Sequence, residues 1–221
     1  MITLYDYLPS QNAWKVRQLL RHLAIPHRTE IISIFEGAGQ SPQYLAVNPW
    51  GAVPAIRLED GRVLSESNAI LWYFSAGTKY RTDEVFAQAK VFQWLSFEAD
   101  YVQTSLGSLR FWTLTGKLSA RPPSLVEGKR ATAVRALGIL ERELAYRPFI
   151  TGDAYSIADI CLFAYAHFSE RCRHCDGSVP IFRGLGRSRE VPGGTPRGDA
   201  SLFHRSIFIG RTTLTHAYRC Y

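Results

Sequence analysis

Three short stretches hold residue types that could do chemistry. Val53-Pro54 reads as a strand start; proline cannot donate to the ladder and leaves Val53 with a free N–H and C=O. A cis Val53-Pro54 bond is expected there, with the free edge turned toward a ligand. Glu66-Ser67 opens the next helix, placing backbone N–H groups, a hydroxyl and a carboxylate beside the positive end of the dipole. That set suits a small zwitterion: N–H and hydroxyl groups for its carboxylate, Glu66 for its ammonium. Ser10 stands just before the first helix, where a hydroxyl can point at an anion held by the helix N-terminus. Asn12 is read as the N-cap of that helix.

The elements that must position these residues follow from pattern. Ile2-Thr3-Leu4-Tyr5 reads as a strand, broken by Leu8-Pro9-Ser10-Gln11-Asn12. Ala13, Val16, Leu19, Leu20 and Leu23 recur at helical period, and Ile25-Pro26 ends that helix. His27 to Ile34 resumes as a strand. A turn, a second strand from Pro54, an Asp60-Gly61 hairpin, a short strand and the Glu66 helix complete the order β-α-β then β-β-α.

Leu4-Tyr5 with Ser10 five residues on, the run Asn48-Pro49-Trp50-Gly51-Ala52-Val53-Pro54-Ala55-Ile56, and Glu66-Ser67-Asn68-Ala69-Ile70 together resemble the cytosolic glutathione S-transferases. The bacterial, theta-, beta- and nu-like members are the nearest in pattern. The resemblance implies an α/β thioredoxin-like N-terminal domain and an all-α C-terminal domain. It implies glutathione as co-substrate, held by Gln40, Val53, Pro54, Glu66 and Ser67, with Ser10 or Asn12 as the group that activates its thiol. A thiol of pKa about 8.5 is only a few per cent thiolate at neutral pH, so a hydroxyl donor and a helix dipole that lower the pKa are the machinery required. The thiolate then attacks a small apolar electrophile, for which Leu8, Tyr101 and Trp112 are the expected wall. Two alternatives share the fold: a glutathione-dependent disulfide reductase or isomerase, and a non-catalytic glutathione-fold binding protein. Many relatives carry His or Lys where Gly39 stands and Lys where Ala52 stands; Gln40 offers a neutral hydrogen bond instead.

Ser75-Ala76-Gly77-Thr78-Lys79 reads as a linker, dividing domains 1–76 and 83–167. Asp83 to about Leu114 lacks proline and carries a broad apolar face, the signature of a long helix. Ser124 with Glu127 has capping-box spacing before a second helix. Ser156 and Asp159 form another, with Tyr155 placed to staple onto Ile160; the family carries this motif at the start of its buried central helix. The family packs as a homodimer, and Trp72, Tyr73, Phe74, Phe86, Val91 and Trp94 are too many large side chains for one small layer.

Composition bounds the rest. The 221 residues are 46% apolar, ample for a core. No stretch approaches the roughly 18 continuous apolar residues of a membrane span. The first residues show no basic region or apolar run of a secretory signal, and four cysteines beginning at Cys161 form no disulfide framework, so a reducing cytoplasm is expected. After His167 the chain changes character: 168–221 hold nine Arg, no Lys and four acids, a net +5 of the total +7. The arginines are scattered among Gly, Pro, Ser and Phe, so no nucleic-acid partner is expected. Cys172 and Cys175 lack a second ligand pair at zinc spacing, so no metal is expected. Arg- and Gly-rich, Lys-free sequence is what a GC-rich gene yields when read out of frame. On that reading the helical domain is incomplete and 168–221 are disordered.

Overall fold

The computed structural model describes residues 1–168. The readings made for the Arg/Gly-rich stretch, including Cys172 and Cys175, lie outside the described residues apart from Phe168.

Four strands form one mixed sheet: β1 (Ile2–Asp6), β2 (His27–Ile31), β3 (Ala55–Arg57) and β4 (Val63–Ser65), in the order β2-β1-β3-β4. β1 and β2 are parallel; β3 runs antiparallel to both β1 and β4. The β1-to-β2 crossover is α1 (Gln11–His22), and α3 (Ser67–Phe74) follows β4. Their apolar residues Val16, Leu20 and Ile70 bury against Ile2, Leu4 and Ile56 on one face of the sheet. Tyr5 points to the other face, as strand alternation requires. There it meets Tyr44 of the short α2 (Pro42–Leu45), ring centroids 5.6 Å apart. This is the thioredoxin-like arrangement.

The rest is helical: α4 (Val85–Phe97), a π-helical segment (Glu98–Gly107), α5 (Ser108–Leu114), α6 (Pro123–Leu144) and α7 (Ile157–Ala166). All residues of α7 except Phe163 are buried. A helix apolar all round belongs in a core, and α7 packs against α1, α4 and the π-helical segment. Among the described residues no helix is long and apolar enough to cross a membrane.

Several local expectations are corrected. The N-cap of α1 is Ser10, whose Oγ accepts the Ala13 N–H at 3.2 Å; Asn12 lies inside the first turn. β2 stops at Ile31, and Ile34–Glu36 form a 3₁₀ turn. α6 starts at Pro123 with no side-chain cap, because proline favours the first helical position; Pro122 then holds the cap position and Ser124 stands two residues past it, inside the first turn. The long helix from Val85 to Leu114 contains the π-helical turn. Ser105 and Ser108 hydroxyls donate back to the Tyr101 and Thr104 carbonyls through it, compensating loosened backbone bonds. Ser75 is buried, and Tyr80 joins the His22 and Tyr155 rings, so the 75–80 stretch is tied down. Tyr155 also meets Phe149. Val91 and Trp94 turn into the core of the chain, leaving Tyr73 and Phe86 exposed.

Candidate active site

The strand register gathers the candidate residues. Tyr5 pairs with Ala55, and Ala55 pairs with Ser65. One row of the sheet therefore joins the end of β1, the start of β3 and the end of β4. Ser10 follows the first, Val53-Pro54 precede the second, and Glu66-Ser67 follow the third. Three chain segments far apart in sequence thus open at one end of the sheet.

Each segment is held from behind. Arg17 of α1 reaches back to the Asp6 carboxylate and donates to the Leu8 carbonyl at 3.2 Å, fixing the loop that carries Leu8 and Ser10. Ser10 is half-buried; its oxygen accepts from Ala13, and its own O–H has no acceptor among the described residues. Beside it, Gln11 Oε1 and Asn12 Oδ1 are buried with no partner among the described residues. The start of α1 therefore offers a free hydroxyl proton, two unpartnered amide oxygens and the first backbone N–H groups.

The Val53-Pro54 bond is cis. Two donors fix the turn ahead of it: Tyr44 Oη at 2.6 Å and Asn48 Nδ2 at 2.8 Å both reach the Ala52 carbonyl. Burial pushes the Tyr44 hydroxyl up to about 12, so it stays protonated as a donor. Val53 is buried, and its N–H and C=O make no hydrogen bond among the described residues. The loop bearing Gln40 lies on this turn so closely that a Cβ on Gly39 would stand 2.1 Å from the Gly51 carbonyl oxygen. A His or Lys side chain at position 39 would therefore have to displace the turn. Gln40 is exposed, with its Nε2 over Gly51.

Glu66 caps α3 at φ +68°, ψ 114°. For a non-glycine residue that conformation costs of order 1–3 kcal/mol, and such residues concentrate at functional sites. Its carboxylate is exposed, and Ser67 beside it is buried.

Behind Ser67 lies a polar cluster absent from the reading of the sequence. Lys15 of α1 has 0% exposure. Its Nζ stands 2.9 Å from Glu98 Oε2, and 3.5 Å from both Ser67 Oγ and Asn68 Oδ1. The Cys161 thiol donates to Asn68 Oδ1 at 3.1 Å and to Glu98 Oε2 at 3.2 Å. Burial alone would pull the Lys15 pKa down; the Glu98 carboxylate at hydrogen-bond distance outweighs that and holds it above the ordinary lysine value. Burial pushes the Cys161 thiol well up, so it stays protonated. A lysine four residues before Leu19, on the buried stripe of α1, was the available signal.

The expected wall is only partly assembled. Leu8 is exposed on the loop at the site. Tyr101 lies against Phe97 at 5.2 Å, and Arg121 covers Trp112 at 5.1 Å; neither meets the site loops through a ring contact among the described residues. The rings that do connect are Tyr7, Phe35 and Phe111, at 5.1 and 5.4 Å. They link the loops after β1 and β2 to α5.

A mixed sheet between helices, opening a site at its end and followed by an all-helical part, defines the class of thioredoxin-like proteins with a helical extension. The family model for the glutathione S-transferase N-terminal domain matches residues 9–76, and that for the C-terminal domain matches 123–187, together more than half the chain. Glutathione S-transferase 1 of Schizosaccharomyces pombe is 29% identical over 181 residues, 76% of each protein. A glutathione S-transferase structure from Pseudomonas fluorescens aligns with TM-score 0.75 and 30% identity, covering 90% of this chain and 99% of that one. A family member from the same species, solved with two glutathione bound, aligns at TM-score 0.69 and 26% identity over 79% and 80% of the two chains. Elongation factor 1-gamma of Danio rerio is 32% identical over 163 residues, 72% of this chain but 36% of that protein. The chain belongs to the glutathione S-transferase family.

Proposed function

We propose that the protein activates the thiol of glutathione for attack on a small apolar electrophile. The observation that carries this reading is the convergence, at one end of the sheet, of the uncommitted Ser10 hydroxyl, the unpaired Val53 backbone and the Glu66-Ser67 helix start. The cysteinyl backbone of glutathione pairs with Val53 beside Pro54. Its γ-glutamyl carboxylate meets Ser67 and the α3 N–H groups, and its ammonium meets Glu66. The sulfur then lies toward Ser10, a hydrogen-bond donor and not a covalent nucleophile. Asn12 shares that end of α1, and Gln40 supplies a neutral contact toward the glycyl end. Tyr7, Phe35 and Phe111, with Leu8, suit a planar aromatic electrophile. A reducing cytoplasm, where glutathione is kept as a thiol, is the compartment this reading calls for.

The elongation factor 1-gamma likeness favours a second reading, a glutathione-fold protein that binds without catalysis. Retention on immobilised glutathione with turnover of an aryl halide supports the first. Retention with turnover of a mixed disulfide alone supports the reductase or isomerase alternative; retention without either turnover, or no retention at all, ends the first reading and leaves the second.

The domain division at 76 and 83 and the homodimer belong to the same proposal. Tyr73, Val85, Phe86 and Phe92 leave a run of apolar surface exposed, with Phe86 71% accessible. Light scattering that gives a strictly monomeric mass at micromolar concentration removes the dimer.

A further inference from the structure

The Lys15–Glu98 pair is not explained by stability. A buried ion pair can often be replaced by apolar residues of similar volume with no loss, so its place directly behind Ser67 asks for another role. An ammonium has three donors and no acceptor. Lys15 Nζ, 3.5 Å from Ser67 Oγ, can face that oxygen only on its lone-pair side. The hydroxyl proton must therefore point elsewhere, and among the described residues it has no acceptor. The other cluster members cannot take Lys15's place: Asn68 Nδ2 is committed to the Leu95 carbonyl at 3.1 Å and to Glu98, and its Oδ1 accepts from Cys161.

We propose that Lys15 is a positioning residue: it fixes Ser67 as a hydrogen-bond donor toward the γ-glutamyl carboxylate of the ligand, while Glu98 balances its charge in the dry interior. The proposal rests on the glutathione reading of the site. It makes Lys15, on a different helix from Ser67, a determinant of how strongly the protein prefers a carboxylate at the α3 N-terminus.

The test is calorimetric titration of the full chain with glutathione and with 4-aminobutyryl-cysteinyl-glycine, which lacks only the γ-glutamyl α-carboxylate. The wild type is expected to prefer glutathione. Lys15→Met with Glu98→Gln removes both charges together, so neither is left buried alone. That variant should bind glutathione about tenfold more weakly and the analogue as before, collapsing the preference. A purely structural role would weaken both ligands equally, and that result, or a preference kept in the folded variant, overturns the proposal. Ser67→Ala leaves the ion pair intact and supplies a second arm should the double variant not fold: it should lose the same preference, and a preference retained there also overturns the proposal. A wild type that binds neither ligand, or both alike, rejects the glutathione reading itself, and the role of Lys15 goes with it.

Discussion

α1 and α7 both begin at a serine N-cap, and the two serines are used in opposite ways. Ser156 accepts the Ala158 N–H at 3.3 Å and donates to Asp159 Oδ2 at 3.0 Å. Asp159 in turn accepts the Ser156 N–H at 2.9 Å and the Ile150 N–H at 2.8 Å. The Ser156 and Asp159 side chains are matched within the cap, the Ile157 N–H is taken by the Tyr80 carbonyl, and both capping residues are buried. Ser10 accepts one N–H, keeps its proton free and stands half-buried at the open end of the sheet. The same residue type at the same helix position is architecture where its hydrogen bonds close on themselves and a candidate site where one is left open. Ser67 belongs with Ser10: an acceptor toward Lys15, a free donor on its other side.

The strongest way to break this contrast is at the closed cap. Asp159→Ala strands two buried N–H groups and the Ser156 hydroxyl. The expected loss is about 3 kcal/mol, a Tm fall of roughly 6–12 °C for a chain of this size. Glutathione affinity of the folded variant should be unchanged. A calorimetric loss below about 1 kcal/mol would mean the closed network is not structural.

The same residue gives a pH test with an unusual sign. Burial raises Asp159 to about 6, against the hydrogen bonds to Ile150 and Ser156 that lower it. Its folded pKa is then above its unfolded one, so the folded state holds the extra proton between about pH 4 and 6. The Asp159 contribution to stability therefore falls as pH rises through that window and is level above it. The full effect is on the order of 3 kcal/mol. Denaturant unfolding of wild type and Asp159→Asn at pH 4 and pH 7 measures it: the wild type should lose ground to the variant as pH rises. A wild type that gains ground instead contradicts the assignment.

At the open cap the substitution should act on chemistry more than on folding. Ser10→Ala removes one donor to a bound thiolate, worth about 1.5–3 kcal/mol, a ten- to roughly hundredfold loss of conjugation rate. The fold should lose only about 1 kcal/mol from the cap. Glutathione binding should survive, and the pKa of its thiol, followed by ultraviolet absorbance, should rise. An unchanged thiol pKa moves the activating role to Asn12 or to the helix dipole alone.

What could be read from the chain was what is local in it. Ser156 and Asp159 are three residues apart, the Ser10 helix start and the Pro54 strand start announce themselves within a few residues, and their convergence follows from strand order. The Lys15–Glu98 contact spans 83 residues and depends on how α1 meets the long helix, which no local pattern encodes. The π-helical turn leaves no mark in apolar periodicity, and the aromatic side chains on either side of it differ: Trp94 before it is buried, while Phe111 after it meets Phe35. Ser124 and Glu127 had the right spacing but lost to Pro123, whose fixed φ starts the helix two residues sooner.

The smallest effect is expected where the site departs from its relatives. Gln40 is exposed and neutral, so the contact proposed for it with the glycyl carboxylate would be worth about 0.5–1.5 kcal/mol, and Gln40→Ala should weaken glutathione binding by roughly two- to tenfold. A larger loss in titration would show that the loop itself, not only the side chain, depends on Gln40 lying over Gly51. Restoring the charge seen in relatives at the neighbouring position should fail for a steric reason. Gly39→Lys forces a Cβ to within 2.1 Å of the Gly51 carbonyl oxygen, so the loop must move off the turn that precedes Val53. Affinity should then fall together with stability, although the new side chain carries the favourable charge. A Gly39→Lys protein that folds as well as the wild type and binds glutathione more tightly would show that the loop can yield, and that backbone contact is not what keeps this edge of the site uncharged.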